Sequence, residues 1–126
     1  VQGVLLVALG GAVGSVLRYL TVGLAIRWLG ADLPWGTLAV NLIGSFLIGV
    51  VNELGGDALR LSAETRTFLA TGVLGGLTTY SAFSYETARL IGGQAWPAAG
   101  LYVAVTTAAC VGLCMLGMAA TRALSG

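Results

Sequence analysis

Gly72-Val73-Leu74-Gly75-Gly76-Leu77-Thr78-Thr79-Tyr80-Ser81-Ala82-Phe83-Ser84-Tyr85-Glu86 decides how this chain folds. The stretch lies inside an apolar segment, yet it is the part of that segment least suited to a regular helix. Paired glycines lower helix propensity, and Thr78-Thr79 adds two β-branched residues whose hydroxyls compete for backbone groups. In lipid an interrupted helix persists only where protein or a watery cavity satisfies the freed amides and carbonyls. A break at Gly-Gly-Leu-Thr-Thr with aromatics just beyond it therefore has two readings. One is a functional site of the kind that broken membrane helices form around ions. The other is a glycine kink with aromatic rings filling space.

The composition around this stretch belongs to a membrane protein. Hydrophobic residues make up 57% of the chain and charged residues 9%, against about 25% charged in a soluble domain. The 126 residues are read as one domain, 1–126. The first apolar run continues to helix length without a cleavage pattern, so no cleavable signal is expected. A net charge of +1 excludes nucleic-acid and polybasic readings. Lysine and histidine are both absent. That removes the commonest general base, Schiff-base chemistry and histidine-ligated zinc, and no enzyme is expected. Cys110 and Cys114 share one helical face, where a bond between them would be strained; they read as small packing residues.

Working outward, four hydrophobic spans are drawn at about 4–26, 37–51, 68–91 and 96–120, each near the roughly 20 residues that cross a bilayer. The first carries Gly10 and Gly14 at close-contact spacing, and Arg18, read either as structural or part of a pore vestibule or as merely snorkelling to the interface. Residues 27–36 form a loop. In the second span Thr37, Asn41 and Ser45 make one polar stripe, either helix–helix glue or a water- or ion-facing track. Residues 52–67 hold Glu53, Asp57, Arg60, Glu64 and Arg66 and read as a solvated loop, with Ser62 opening a short cap. Gly92-Gly93-Gln94 ends the third span. In the fourth, Tyr102, Thr106 and Cys110 repeat the stripe spacing. Arg60, Arg66 and Arg122 fall on one side and Arg27 and Arg89 on the other, too small a bias to set one topology. Insertion in both orientations with antiparallel pairing gives such a balance; so does chance in a chain without lysine.

With these residues assembled, nearly the whole chain resembles the Fluc family of fluoride channels, also called CrcB proteins. The resemblance rests on Gly14-Ser15-Val16-Leu17-Arg18-Tyr19, on Gly36-Thr37-Leu38-Ala39-Val40-Asn41, and above all on Gly75-Gly76-Leu77-Thr78-Thr79-Tyr80-Ser81-Ala82-Phe83-Ser84 with Glu86 behind it. It implies an all-α membrane protein of four spans with the third broken, paired as an antiparallel, dual-topology homodimer in the cell's inner (plasma) membrane. It implies passive fluoride export through two pores, and a central structural sodium ion on the backbone carbonyls of Gly75 and Thr78. By motif position the fluoride path takes Asn41, Tyr80, Phe83, Tyr102, Thr106 and Cys110, joined by Thr37, Ser81 and Glu86. Tyr80 stands where the family usually has Phe, and Thr106 and Cys110 where serines are common. The implied partners are a second copy of the chain, fluoride and membrane lipid, with no nucleic acid. Two rival readings remain: a small multidrug-type, proton-coupled exporter, which wants a membrane-embedded carboxylate, and a membrane scaffold that transports nothing.

Overall fold

The computed structural model describes residues 1–56 and 61–125. Asp57 and Arg60, expected in a solvated loop, lie outside the described residues. Among those described, all regular structure is helical. The elements are α1 (Gln2–Leu29), α2 (Trp35–Leu54), α3 (Ala63–Arg66), a π-helical segment (Thr67–Leu74), α4 (Gly75–Leu77), α5 (Tyr80–Gly92) and α6 (Trp96–Ser125). Among the described residues three helices are long and apolar enough to cross a bilayer: Gln2–Leu29, Trp35–Leu54 and Trp96–Leu124.

Two span limits are corrected. The loop expected at 27–36 is shorter, because α1 runs on to Leu29 and α2 begins at Trp35, directly after Pro34. Proline has no amide to leave unpaired at a helix start and its φ is preset, so the helix begins there without penalty. The 20 residues of α2 then reach about 30 Å, a full bilayer core. At its other end Glu53 is not a free loop charge. Its carboxylate accepts from Arg122 Nε at 2.7 Å and ties the end of α2 to the end of α6.

The third apolar segment is built in two halves. Ser62 caps the first, accepting from the Thr65 amide at 3.1 Å. Helix then continues through α3, the π-helical turns and α4 to Leu77. Thr78 and Thr79 are extended, with ψ 155 and 117. Thr79 starts the second half, α5, as its cap: its hydroxyl accepts from the Ala82 amide at 3.1 Å. The break thus falls on the two threonines and not on Gly75-Gly76, which stay helical.

Those glycines serve close approach. A Cβ on Gly76 would sit 2.6 Å from the Gly11 carbonyl oxygen, and one on Gly72 would sit 2.9 Å from Gly10 Cα. A Cβ on Gly14 would collide with the Val73 carbonyl oxygen. Backbones therefore touch along α1 and the first half, the small-residue packing that membrane helices use where no hydrophobic drive exists between them. Gly14→Ala is expected to cost about 1–3 kcal/mol by overpacking. Thermal unfolding of the purified variant reads it, and an unchanged midpoint would mean the two backbones separate freely.

The enclosed core is small, centred on Val40, Leu74 and Leu77. Large apolar side chains instead cover the outside of α1, α2 and α6, among them Leu5, Leu9, Ile43, Leu101, Val111 and Leu116. An aqueous surface does not carry so continuous an apolar cover; a lipid-facing one does.

Candidate ion-conducting site

In a continuous helix the Thr79 amide would close on the Gly75 carbonyl and the Ala82 amide on the Thr78 carbonyl. Neither does. The Thr79 amide donates to Asn41 Oδ1 at 2.9 Å, and Ala82 to the Thr79 hydroxyl. Gly75 and Thr78 are therefore deprived of their helical donors. Gly75 is exposed on the protomer and Thr78 half-buried.

Asn41, buried in α2, clasps both backbone groups of Thr79. It accepts from the Thr79 amide and donates through Nδ2 to the Thr79 carbonyl at 3.2 Å. The stripe reading of Asn41 left glue and ion track as alternatives. The side chain satisfies broken backbone, and one Nδ2 hydrogen is left over, since a primary amide has two. Thr79, read from sequence as part of the break and not as a site residue, is the hub of this arrangement. A Thr three residues ahead of Ala82 at the start of a helix was the available cue.

Along one side of the break runs a groove of about 400 Å³, lined by Asn41, Ser45, Gly75, Thr78, Tyr80, Phe83, Thr106 and Cys110 among others. It gathers most of the expected site residues. Thr106 Oγ1 is buried there without a hydrogen-bond partner among the described residues. A hydroxyl shut away from water without a partner is costly, so one that aims into a groove is a donor in waiting. Cys110 is a free thiol; Cys114, outside the groove, presents its backbone to Gly49 of α2.

The aromatic pair is unequal. Phe83 is 9% exposed and Tyr80 80%. Their ring centroids lie 5.6 Å apart, and Phe83 stacks on toward Tyr102 at 5.1 Å, both pairs tilted. Three rings thus follow one another from the open side of the break to α6. Ser81 lies exposed with its Oγ 3.3 Å from the Thr79 hydroxyl.

Thr37, Glu86 and Tyr102 form a separate polar group from three helices. The Thr37 hydroxyl donates to Glu86 Oε2 at 2.8 Å, and the Tyr102 hydroxyl to Oε1 at 3.0 Å. Each hydroxyl has one hydrogen, so both donors are engaged by the carboxylate. Glu86 and Thr37 also line two further cavities, of about 750 and 140 Å³, that open toward Arg18 and Arg27 and toward Asp32 and Arg89.

Apolar helices around an interrupted helix, with polar groups gathered at the interruption, define a multi-pass membrane protein organised about a polar site. The chain belongs to the CrcB family: the model described as CrcB-like protein, Camphor Resistance (CrcB), matches residues 5–118. Relatives cover nearly its whole length. A Rhizobium etli protein (strain CIAT 652) is 47% identical over 120 residues, 95% of this chain and 96% of its own. One from Allorhizobium ampelinum is 49% identical over 123 residues, 96% and 97% of the two chains. A more distant source, Sorangium cellulosum, supplies one 44% identical over 118 residues, 94% and 93%. All three bear the name fluoride-specific ion channel FluC.

Proposed function

We propose that this protein is a fluoride-selective channel through which fluoride leaves the cell passively across the inner membrane. The observation that carries the reading is the helix break, with its clasped backbone, its two carbonyls without helical donors and the adjoining groove. Relatives at 44–49% identity over almost the whole chain supply the ion.

Fluoride is small and strongly hydrated, so a path for it must replace water with close donors. The spare Nδ2 hydrogen of Asn41 and the Thr106 hydroxyl are such donors, and the ring edges of Phe83 and Tyr80 add positive quadrupole density without a full charge. None of these binds so strongly that an ion could not leave, as conduction requires. Beyond them, an anion meeting Thr37 or Tyr102 draws the hydroxyl away from Glu86. Ser81 and Cys110 are placed as lesser lining groups.

The same break supports four crossings, α3 to α5 together making the third, within the single domain 1–126. It also supports an antiparallel homodimer. Gly75 and Tyr80 line the same groove and are both exposed, and lipid satisfies neither the Gly75 carbonyl nor the Tyr80 phenol. A second copy, crossing at the same place, covers them and doubles the groove into two pores. Gly75 and Thr78 would hold the structural sodium ion: they offer oxygen ligands only, which suits a hard cation. Bound there, the ion supplies fixed positive potential beside an anion path.

Proteoliposomes test the function. Fluoride efflux without chloride efflux, and without dependence on a proton gradient, is the expected result. Proton-driven transport of an organic cation would replace the reading with an exporter, although no acid lies in α1 to couple it. Absence of any flux would leave a scaffold. Orientation is read separately, by accessibility of a thiol introduced as Gln2→Cys. About half the molecules should label from each side, as dual insertion demands; labelling from one side alone excludes the antiparallel dimer.

A further inference from the structure

The Gly76 carbonyl, between the two carbonyls that lack helical donors, takes a charged donor. Arg18 Nε lies 3.0 Å from it. Arg18 comes from α1 one turn beyond Ser15, whose amide nitrogen would sit 3.0 Å from a Cβ on Gly76. So α1 presses on Gly76 with bare backbone, and the guanidinium closes over the carbonyl at the end of that contact. Gly76 stands in the last turn before the break. Carbonyls there have lost their helical partners and carry the negative end of the helix dipole, so a cation is favoured beside them.

Peptide planarity makes this bond consequential. Among the described residues all peptide bonds are trans, so in each unit the N–H and C=O point in opposite directions. The Thr79 amide is fixed on Asn41. That fixes the plane carrying the Thr78 carbonyl and turns this oxygen away from Asn41. The Thr78 amide is held by the Leu74 carbonyl at 3.0 Å. The Gly76–Leu77 peptide, in the last helical turn, lies between the Gly75 and Thr78 carbonyls, and Arg18 holds its oxygen from outside the helix. Without Arg18, no side chain from α1 holds that oxygen, and Asn41 alone keeps the Thr79 amide from returning to the Gly75 carbonyl and closing the break.

We propose that Arg18 is a positioning residue of the helix break: by holding the Gly76 carbonyl it sets the spacing of the Gly75 and Thr78 oxygens and keeps both free for a cation. The inference rests on the reading of those two carbonyls as sodium ligands. Its test separates the two claims. Thermal unfolding of purified wild type, Arg18→Lys and Arg18→Met is followed over a sodium titration at constant ionic strength. Amide exchange at Thr79 and Ala82 is measured alongside.

Arg18→Met is expected to raise the half-effective sodium concentration about tenfold and to speed exchange at both amides by about the same factor. Arg18→Lys, which keeps a charged donor, should return both to within about threefold of wild type. A packing role alone lowers the unfolding temperature equally at every sodium concentration; that result overturns the proposal. So does a lower sodium midpoint in Arg18→Met, the sign of a charge that merely repels the ion. If wild type shows no sodium dependence, the cation reading fails and exchange decides alone: unaltered exchange in Arg18→Met overturns the positioning role. Should the methionine variant not fold, Arg18→Gln, too short to reach the carbonyl, carries the same titration and the same expectation.

Discussion

Asn41→Leu is expected to reduce fluoride efflux to background and to lower stability at the same time. Leucine is close to asparagine in volume, so the loss is of chemistry and not of space. The Thr79 amide and carbonyl, 2.9 and 3.2 Å from the Asn41 side chain, both lose their partner. Each unpaired buried group costs about 1–3 kcal/mol, so about 2–4 kcal/mol is expected in total after some relaxation. A fall in flux with a fall in stability does not by itself separate conduction from folding. Asn41→Asp does. It keeps an acceptor for the Thr79 amide and the shape of the side chain, while replacing the whole NH2, both the donor to the Thr79 carbonyl and the spare N–H, with a carboxylate oxygen that repels an anion. Asn41→Asp should keep most of the dimer at reduced stability and still pass no fluoride. Normal efflux through that variant, measured beside its unfolding midpoint, would show that Asn41 serves the backbone alone.

The role of Asn41 also marks where sequence reading stops. Its spacing with Thr37 and Ser45 placed it on one face of α2, and that face is the one turned to the break. The stripe could not say what the amide would meet, because its partner lies 38 residues away. Thr37 is a similar case: it shares the stripe, yet its hydroxyl is held by Glu86, 49 residues on. Local period reports which side of a helix is polar; partners are set by packing between helices.

The break was legible from sequence as an interruption over Gly75–Thr79, and the structure narrows it to the two threonines. Gly75-Gly76 looked like part of the helix breaker because glycine lowers helix propensity. Small size and low propensity are properties of the same residue, and sequence does not say which one a position uses. Against α1 the size is used: Gly11 and Ser15 backbone atoms lie where a side chain on Gly76 would be. The two threonines break the helix because Thr79 is a competent cap and its amide has Asn41 to go to. The Glu53–Arg122 pair escaped sequence for the same reason as Thr37–Glu86. Joining the far ends of α2 and α6, it depends on where the second loop returns the chain.

Phe83→Ile is expected to lose most fluoride flux, and Tyr80→Phe to keep it. In the protomer the two rings are not equivalent. Phe83 is buried between Tyr80 and Tyr102, with centroids 5.6 and 5.1 Å away, and lines the groove beside Thr106 and Cys110. Isoleucine there has the volume to fill much of the space but no ring edge, so the positive quadrupole rim facing the groove is gone. The two ring contacts are worth about 0.5–1.5 kcal/mol each, so a modest fall in stability accompanies the loss. Tyr80 is 80% exposed, on the face that the proposed second copy would enclose. Its phenol adds a donor to the ring, and removing that donor in Tyr80→Phe should leave conduction equal or faster, since an extra hydrogen bond lengthens the stay of an ion. Tyr80→Ile, which removes the ring, should lose most flux. Packing alone predicts something different: flux and dimer integrity falling in step through all three variants, with Tyr80→Ile mild wherever the dimer survives. Flux and dimer fraction measured on the same purified samples decide the matter. Isoleucine variants that stay dimeric and still pass fluoride would rule out the aromatic edges as its binding groups, and the path would then rest on Asn41 and Thr106 alone.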